Sequence, residues 1–190
     1  MNMTDGLSKT ACFSMIALSA VIYFLGFQLN DYLFSSIEFS HGVNWVFLPS
    51  GLRLILVLVL VEYGAIGISI SSFLIGYEFY FEDNYFEIIV TSIISGFSPL
   101  LARYLSIRFF NVEPNLKNTT SRDLLKLSVL FSTISASLHQ IWFVINHRTE
   151  HFLDATFVMS LGDWLGTALV LALASVLVAF LKKNVVKQVH

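Results

Sequence analysis

Residues 154–181 read DATFVMSLGDWLGTALVLALASVLVAFL, and only Asp154 and Asp163 in these twenty-eight positions carry an ionisable group. From Trp164 to Leu181 eighteen consecutive side chains are uncharged. A helix rising about 1.5 Å per residue covers some 30 Å of hydrocarbon in about twenty residues, so this stretch is long enough to cross a bilayer. A soluble helix of this length would carry a charged face. Lipid is the solvent that this segment fits.

The rest of the chain agrees. Of its 190 residues 56% are hydrophobic and 13% charged, and the mean hydropathy is +0.74. Soluble domains carry about 25% charged residues, so the chain has too little ionic surface to wrap a water-facing body. The apolar blocks predict spans at 10–29, 44–62, 64–81, 86–109, 124–146 and 154–181. The expected fold is an all-α polytopic membrane helical bundle of about six transmembrane helices, one integral membrane domain over 1–190. Only Glu62, Tyr63 and Gly64 separate the second and third blocks, which predicts a tight helical hairpin. The first block is longer than a signal-peptide core and lacks a small-residue cleavage site, so it reads as a retained helix.

Basic residues set the orientation. Lys9 precedes the first span; Arg103, Arg108, Lys117, Arg122 and Lys126 surround the connection after the fourth; Lys182, Lys183 and Lys187 follow the sixth. Six spans put all three groups on one face, which predicts a cytoplasmic N-terminus and C-terminus in a multi-pass inner-membrane protein. Arg148 alone falls in a loop on the other side, where acidic Asp31, Glu38, Glu78, Glu82, Asp83, Glu87, Glu150 and Asp154 gather. A net charge of -2 gives no basic footprint for nucleic acid. The single Cys12 has no partner for a disulfide or thiolate metal site. The triplet Asn118, Thr119, Thr120 fits a glycosylation signal, but a cytoplasmic loop does not meet the transferase.

Two charges lie deep inside apolar spans. An ionisable side chain there costs at least about 2.5 kcal/mol, so each needs a partner, a wet cavity or a function. Arg53 stands nine residues past Asn44 and Asp163 nine past Asp154, the expected starts of spans two and six. Equal depth predicts an ion pair. Such a pair is explained by fixing which helices touch, or by offering a guanidinium fork to an anionic small molecule with Asp163 as resting counter-ion. Pro49 and Gly51 predict a kinked or irregular start to the second span, with backbone groups turned toward a pocket. Gly162 and Gly166, one turn apart, predict close helix contact. His139 faces the bundle as a hydrogen-bonded histidine; proton sensing and metal or haem ligation are the alternatives, and no metal-ligand spacing or cofactor motif supports the last.

Two segments together resemble the first type of membrane-associated sensor domain, MASE, a bacterial input module. The family opens one span with a signature of roughly Trp-Pro-Pro-small-Gly and a Gly-rich helix follows; here these are Phe47, Leu48, Pro49, Ser50, Gly51 and then Gly64, Ala65, Ile66, Gly67. Its later Gly-Asp-x-x-Gly signature matches Gly162, Asp163, Trp164, Leu165, Gly166. The likeness runs from about Asn44 to Phe180. The aromatic-proline opening is half present, and the proline that often follows the Gly-Asp signature is missing. Family domains have about eight spans and precede a kinase or cyclic-dinucleotide output domain, so the resemblance implies a short stand-alone relative that acts through a separate partner or by binding a ligand itself.

The leading functional expectation is therefore a sensory or interaction module of a bacterial inner membrane, with a pocket near Pro49, Gly51, Arg53 and Asp163 and a cytoplasmic or membrane signalling partner. A small-solute binding or transport subunit is the runner-up, although Ala11, Ala17 and Ala20 lack the Ala-x-x-x-Ala spacing of energy-coupling vitamin importers. A structural subunit of a membrane complex is the third reading. An enzyme is not expected, because no nucleophile and base share one depth.

Overall fold

The computed structural model describes residues 8–40, 42–81, 84–110, 112–116 and 118–188, with residues 182–188 described for the backbone alone. Lys117, Glu82 and Asp83, and the side chains of Lys182, Lys183 and Lys187, all used above for orientation, lie outside the described residues. Among the described residues six α-helices form the chain: α1 Lys9–Phe34, α2 Leu48–Leu60, α3 Glu62–Ile75, α4 Tyr85–Phe109, α5 Ser121–Ile145 and α6 Phe152–Gln188. A two-residue by three-residue antiparallel hairpin, β1 Glu38–Ser40 and β2 Val43–Asn44, precedes α2. α1, α4, α5 and α6 are each long and apolar enough to cross a membrane.

α2 departs most from its expected span. It starts at Leu48 rather than at 44, and its thirteen residues are about 20 Å long, less than a bilayer's hydrocarbon. Pro49 falls in its first turn, where a missing N–H costs nothing and the fixed φ favours entry into a helix. It therefore starts the helix instead of kinking it. The freed donors before it are met from outside: Phe47 N–H donates to the Gly162 carbonyl at 3.1 Å, and Leu48 N–H to Asn30 Oδ1 at 2.8 Å. Irregular backbone at membrane depth survives when protein buries it, and Val43 and Asn44 are buried.

α3 also stops early, at Ile75, and one π-helical turn, Gly76–Tyr80, continues it toward Phe81. Between α2 and α3 the connection is shorter than three residues. Val61 alone makes the turn, at φ 51° and ψ -120°. Other boundaries extend outward: α1 runs to Phe34, α5 begins at Ser121 behind a Thr120–Asp123 capping box, and α6 begins at Phe152.

α2 is the centre of the bundle. It packs against all five other helices, while α1–α3, α3–α4, α4–α5 and α5–α6 contacts form an arc around it. Its burial shows the same thing: eight of thirteen α2 residues are buried, against four of twenty-six in α1. Tyr23, Phe27, Leu56, Val57, Ala65, Ile68 and Ile75 form one apolar cluster on one side of α2. Leu54, Leu58, Ala102, Leu127 and Phe131 form another on the opposite side. Outward positions such as Phe13, Phe97, Phe157 and Leu173 are exposed apolar side chains, which suits a lipid-facing surface.

Candidate functional site

Between the two apolar clusters runs a polar seam of Ser50, Arg53, Ser95, Ser135, His139, Gln140, Asp163 and Thr167, each buried. Arg53 leaves α2 and Asp163 leaves α6. Nη2 of Arg53 donates to both Asp163 oxygens at 3.1 Å, and Nη1 donates to Ser135 Oγ on α5 at 3.2 Å. The guanidinium lies between two aromatic faces, 5.6 Å from the Phe47 centroid and 5.2 Å from that of Phe131. Arg53 and Asp163 are both 1% exposed, so water does not screen the pair.

The two groups meet at one level as expected, but their helices do not begin at one level. Arg53 lies five residues into α2 and Asp163 eleven into α6, so the two helix starts are offset by about 9 Å. The hairpin and residues 45–47 take up that offset. They bring the start of α2 down beside Gly162, which holds it through the Phe47 bond. Gly162 and Gly166 make this approach possible. A Cβ at Gly162 would collide with the Asn44 carbonyl, and one at Gly166 with the Phe47 carbonyl. Gly51 does the same from the other helix, where a Cβ would crowd Val170 and Thr167. The GxxxG face thus packs within this chain, against the backbone leading into α2.

The network continues on either side. The Ser135 carbonyl lies 2.8 Å from His139 Nδ1, and Nε2 lies 3.2 Å from Ser95 Oγ on α4. A carbonyl only accepts, so Nδ1 carries a proton and, in the neutral ring, Nε2 accepts from the Ser95 hydroxyl. Thr167 Oγ1 donates its one proton to the Asp163 carbonyl at 2.7 Å, and the Ser50 hydroxyl lies 3.3 Å away, where Thr167 Oγ1 can accept from it. Four helices, α2, α4, α5 and α6, thereby share one hydrogen-bonded chain. Among the described residues no group of three or more histidine, cysteine or acidic side chains is arranged to hold a metal ion. Cys12 donates from Sγ to the Tyr63 hydroxyl at 3.1 Å.

Five residues of this seam, Arg53, Ser95, His139, Gln140 and Asp163, line a cavity of about 470 Å³. Tyr23, Phe27, Tyr80 and Phe143 supply aromatic surface; Arg53, Asp163, His139 and Gln140 line it at depth; and Asn84, Asn146, His147 and Arg148 line it at the end where Gly42, Phe81 and Thr149 also lie. Pro49 is buried at the start of α2 but does not line the cavity, nor do Gly51, Gly162 and Gly166.

No family model, curated protein or solved structure matches the chain.

A second ion pair was not anticipated from the sequence. Glu87, in the first turn of α4, is 1% exposed. Arg148 Nε donates to its two oxygens at 2.9 and 3.0 Å, and Arg148 Nη2 also bonds Oε2. The guanidinium lies 5.1 Å from the Phe81 ring centroid. Asn84 caps α4 by accepting from the Glu87 N–H at 3.3 Å, and its amide also donates to Glu87 Oε2 at 3.0 Å. The available signal was Arg148 itself, the lone basic residue among acidic loops at that end. Both members line the cavity.

Proposed function

We propose that this chain is a bacterial inner-membrane sensory module that binds a small polar molecule between α2, α4, α5 and α6 and signals through a separate partner. In this reading α2 and α3 also traverse the membrane, giving six spans with both termini cytoplasmic. Basic Arg103, Arg108, Arg122 and Lys126 then lie on the cytoplasmic side with the 110–120 connection. The cavity is reached from the opposite side. The observation that carries the reading is the buried Arg53–Asp163 pair in the wall of a 470 Å³ cavity. A pair needed only for packing would be closed over by apolar side chains, whereas concave sites of a few hundred Å³ with a few convergent polar groups are the usual form of ligand sites. The resemblance to the MASE sensor family, carried by Pro49, Gly51, Gly162, Asp163 and Gly166, favours signalling over a purely structural role.

Occupancy is transmitted through α2, because Arg53 is anchored to α5 and α6 while α2 touches every other helix. A ligand acts only by unequal affinity for two arrangements of these helices. The test is thermal unfolding of the full chain in nanodiscs against a library of small polar solutes, with hydrogen exchange at 112–120 as the second readout. The reading expects a solute that raises the melting temperature of the wild type, changes exchange at 112–120, and has no effect on the Arg53→Met/Asp163→Leu double variant. A library in which no solute acts on the wild type refutes it. The non-helical backbone from buried Asn44 to half-buried Phe47, next to the site, favours a second reading, a solute-transport subunit. Uptake of the active solute into proteoliposomes supports transport, and binding without uptake supports sensing.

A further inference from the structure

We propose that the molecule taken by this cavity is a compact zwitterion, one ammonium and one carboxylate on a small organic frame, and not a net anion. The inference rests on the ligand-binding reading above and narrows it. Four charged side chains line the cavity, Arg53 with Asp163 and Glu87 with Arg148, and each cation already faces its own carboxylate. The wall therefore carries no surplus charge. A net anion drawn toward either guanidinium also meets the carboxylate bonded to it, and it leaves its hydration without an unmatched positive partner. A net cation meets the mirror problem. A zwitterion presents one group to each sign and enters without unbalancing the cavity.

Unmet hydrogen-bonding capacity on the same wall has the matching polarity. Arg53 Nε is a donor and Gln140 Oε1 an acceptor, and among the described residues neither has a hydrogen-bond partner. Both residues are at least 99% buried, and both line the cavity. A buried polar atom left unpaired costs about 1–3 kcal/mol, so a ligand that supplies the partner is favoured by its removal. A carboxylate answers the guanidinium Nε, and an ammonium answers the amide oxygen. Among the described residues the Gln140 amide is otherwise held only through Nε2, which donates to the thioether of Met159 at 3.5 Å, a weak anchor that lets the oxygen turn. Aromatic surface from Phe27, Tyr80 and Phe143 also lines the cavity and suits both an ammonium and an apolar side group.

The experiment uses the full chain in nanodiscs with glycine, serine, leucine and phenylalanine as probes. Each is compared with its N-acetyl derivative, which is a net anion, and its carboxamide, which is a net cation. Calorimetric affinity is the readout, with Arg53→Lys and Gln140→Leu as variants. Arg53→Lys keeps the charge facing Asp163 but removes the Nε donor; Gln140→Leu removes the acceptor at similar volume. The proposal expects at least one free amino acid to bind about tenfold or more tightly than both of its derivatives, with about a tenfold loss in each variant. N-acetyl or carboxamide forms binding as well as the free amino acids overturn the zwitterion assignment while leaving the pocket intact. So does binding of a neutral or anionic solute that the Arg53→Met/Asp163→Leu variant abolishes, when no free amino acid binds. If no solute of any charge class binds the wild type, the pocket reading falls as well.

Discussion

Removing Arg53 alone strands a carboxylate in the middle of the bundle, and the size of that effect tests the physical core of this structure. In Arg53→Met the Asp163 side chain, 1% exposed, loses two 3.1 Å charge-assisted bonds. Breaking one member of such a buried pair costs about 3–5 kcal/mol, which raises the unfolding equilibrium constant by roughly two to four orders of magnitude. Asp163→Leu strands the guanidinium in the same way, although the Phe47 and Phe131 faces at 5.6 and 5.2 Å and the Ser135 hydroxyl at 3.2 Å keep some of its partners. The double variant Arg53→Met/Asp163→Leu restores charge balance, and methionine suits a slot walled by two phenylalanine rings. Its stability is expected within about 1–2 kcal/mol of the wild type, or above it, because apolar replacements of buried pairs are often neutral or stabilising. The assay is reversible unfolding in mixed micelles by titration with a denaturing detergent, followed by circular dichroism, in a full double-variant cycle. A coupling energy of about 3 kcal/mol or more supports the argument. Single variants within about 0.5 kcal/mol of the wild type, or a double variant as damaged as the sum of the singles, would refute it.

Three further outcomes follow from particular contacts. Gly166→Ala drives a Cβ into the Phe47 carbonyl, which the Gly162 bond already holds in place; a loss of about 2–3 kcal/mol in the same unfolding assay is expected, and an unchanged midpoint would show that α2 and α6 are not locked here. Arg148→Gln leaves the Glu87 carboxylate, 2% exposed, held by the Asn84 amide in the α4 cap, and because Arg148 is itself 39% exposed the loss is screened to about 1–2 kcal/mol. Faster hydrogen exchange across 146–151 is the local signature of that loss, and exchange equal to the wild type counts against the contact. Val61→Gly relieves a branched residue at φ 51°; strain of about 1–3 kcal/mol less a glycine entropy of about 0.5–1 leaves a net gain near 1 kcal/mol, and a destabilised variant would mean that the Val61 side chain contributes more than its backbone costs.

The long helices were legible because lipid imposes a simple rule: about twenty apolar residues, with the few charges counted against them. Residues 154–181 and 86–109 obey it, and α6 and α4 stand there with ends shifted by a few residues. The Arg53–Asp163 pair was legible for the same reason, since two opposite charges in apolar surroundings have few other ways to be satisfied. What failed was local. Residues 44–47 are apolar enough to join the next span, but nothing in hydropathy shows that Pro49 would sit at the helix start or that Asn30 and Gly162 would accept the leading N–H groups. Glu87 was misplaced in a loop because it follows Tyr85 and Phe86 at an apolar boundary. Only the fold brings Arg148, sixty-one residues later, to cover it. Contacts between irregular segments depend on tertiary approach, and a linear pattern carries little of that.

The short second helix gives the pocket a way to reach the rest of the protein. α2 starts inside the bundle, so its first turns line the interior, and Arg53 sits close to that start. Its last turns, Leu56 to Leu58, belong to the apolar clusters on both sides of the bundle core. Any ligand that draws Arg53 away from Asp163 pulls on a rod only about 20 Å long that touches all five neighbours. The strained single-residue turn at Val61 ties that rod directly to α3. Close packing resists gradual deformation, so a shift at Arg53 favours a second discrete packing of α2 over bending of the helix. Long, largely exposed α1 offers no such lever, with four buried residues in twenty-six. In the proposed sensory reading, the helix that carries Arg53 to the cavity and the helix that would transmit occupancy are the same thirteen residues, Leu48–Leu60.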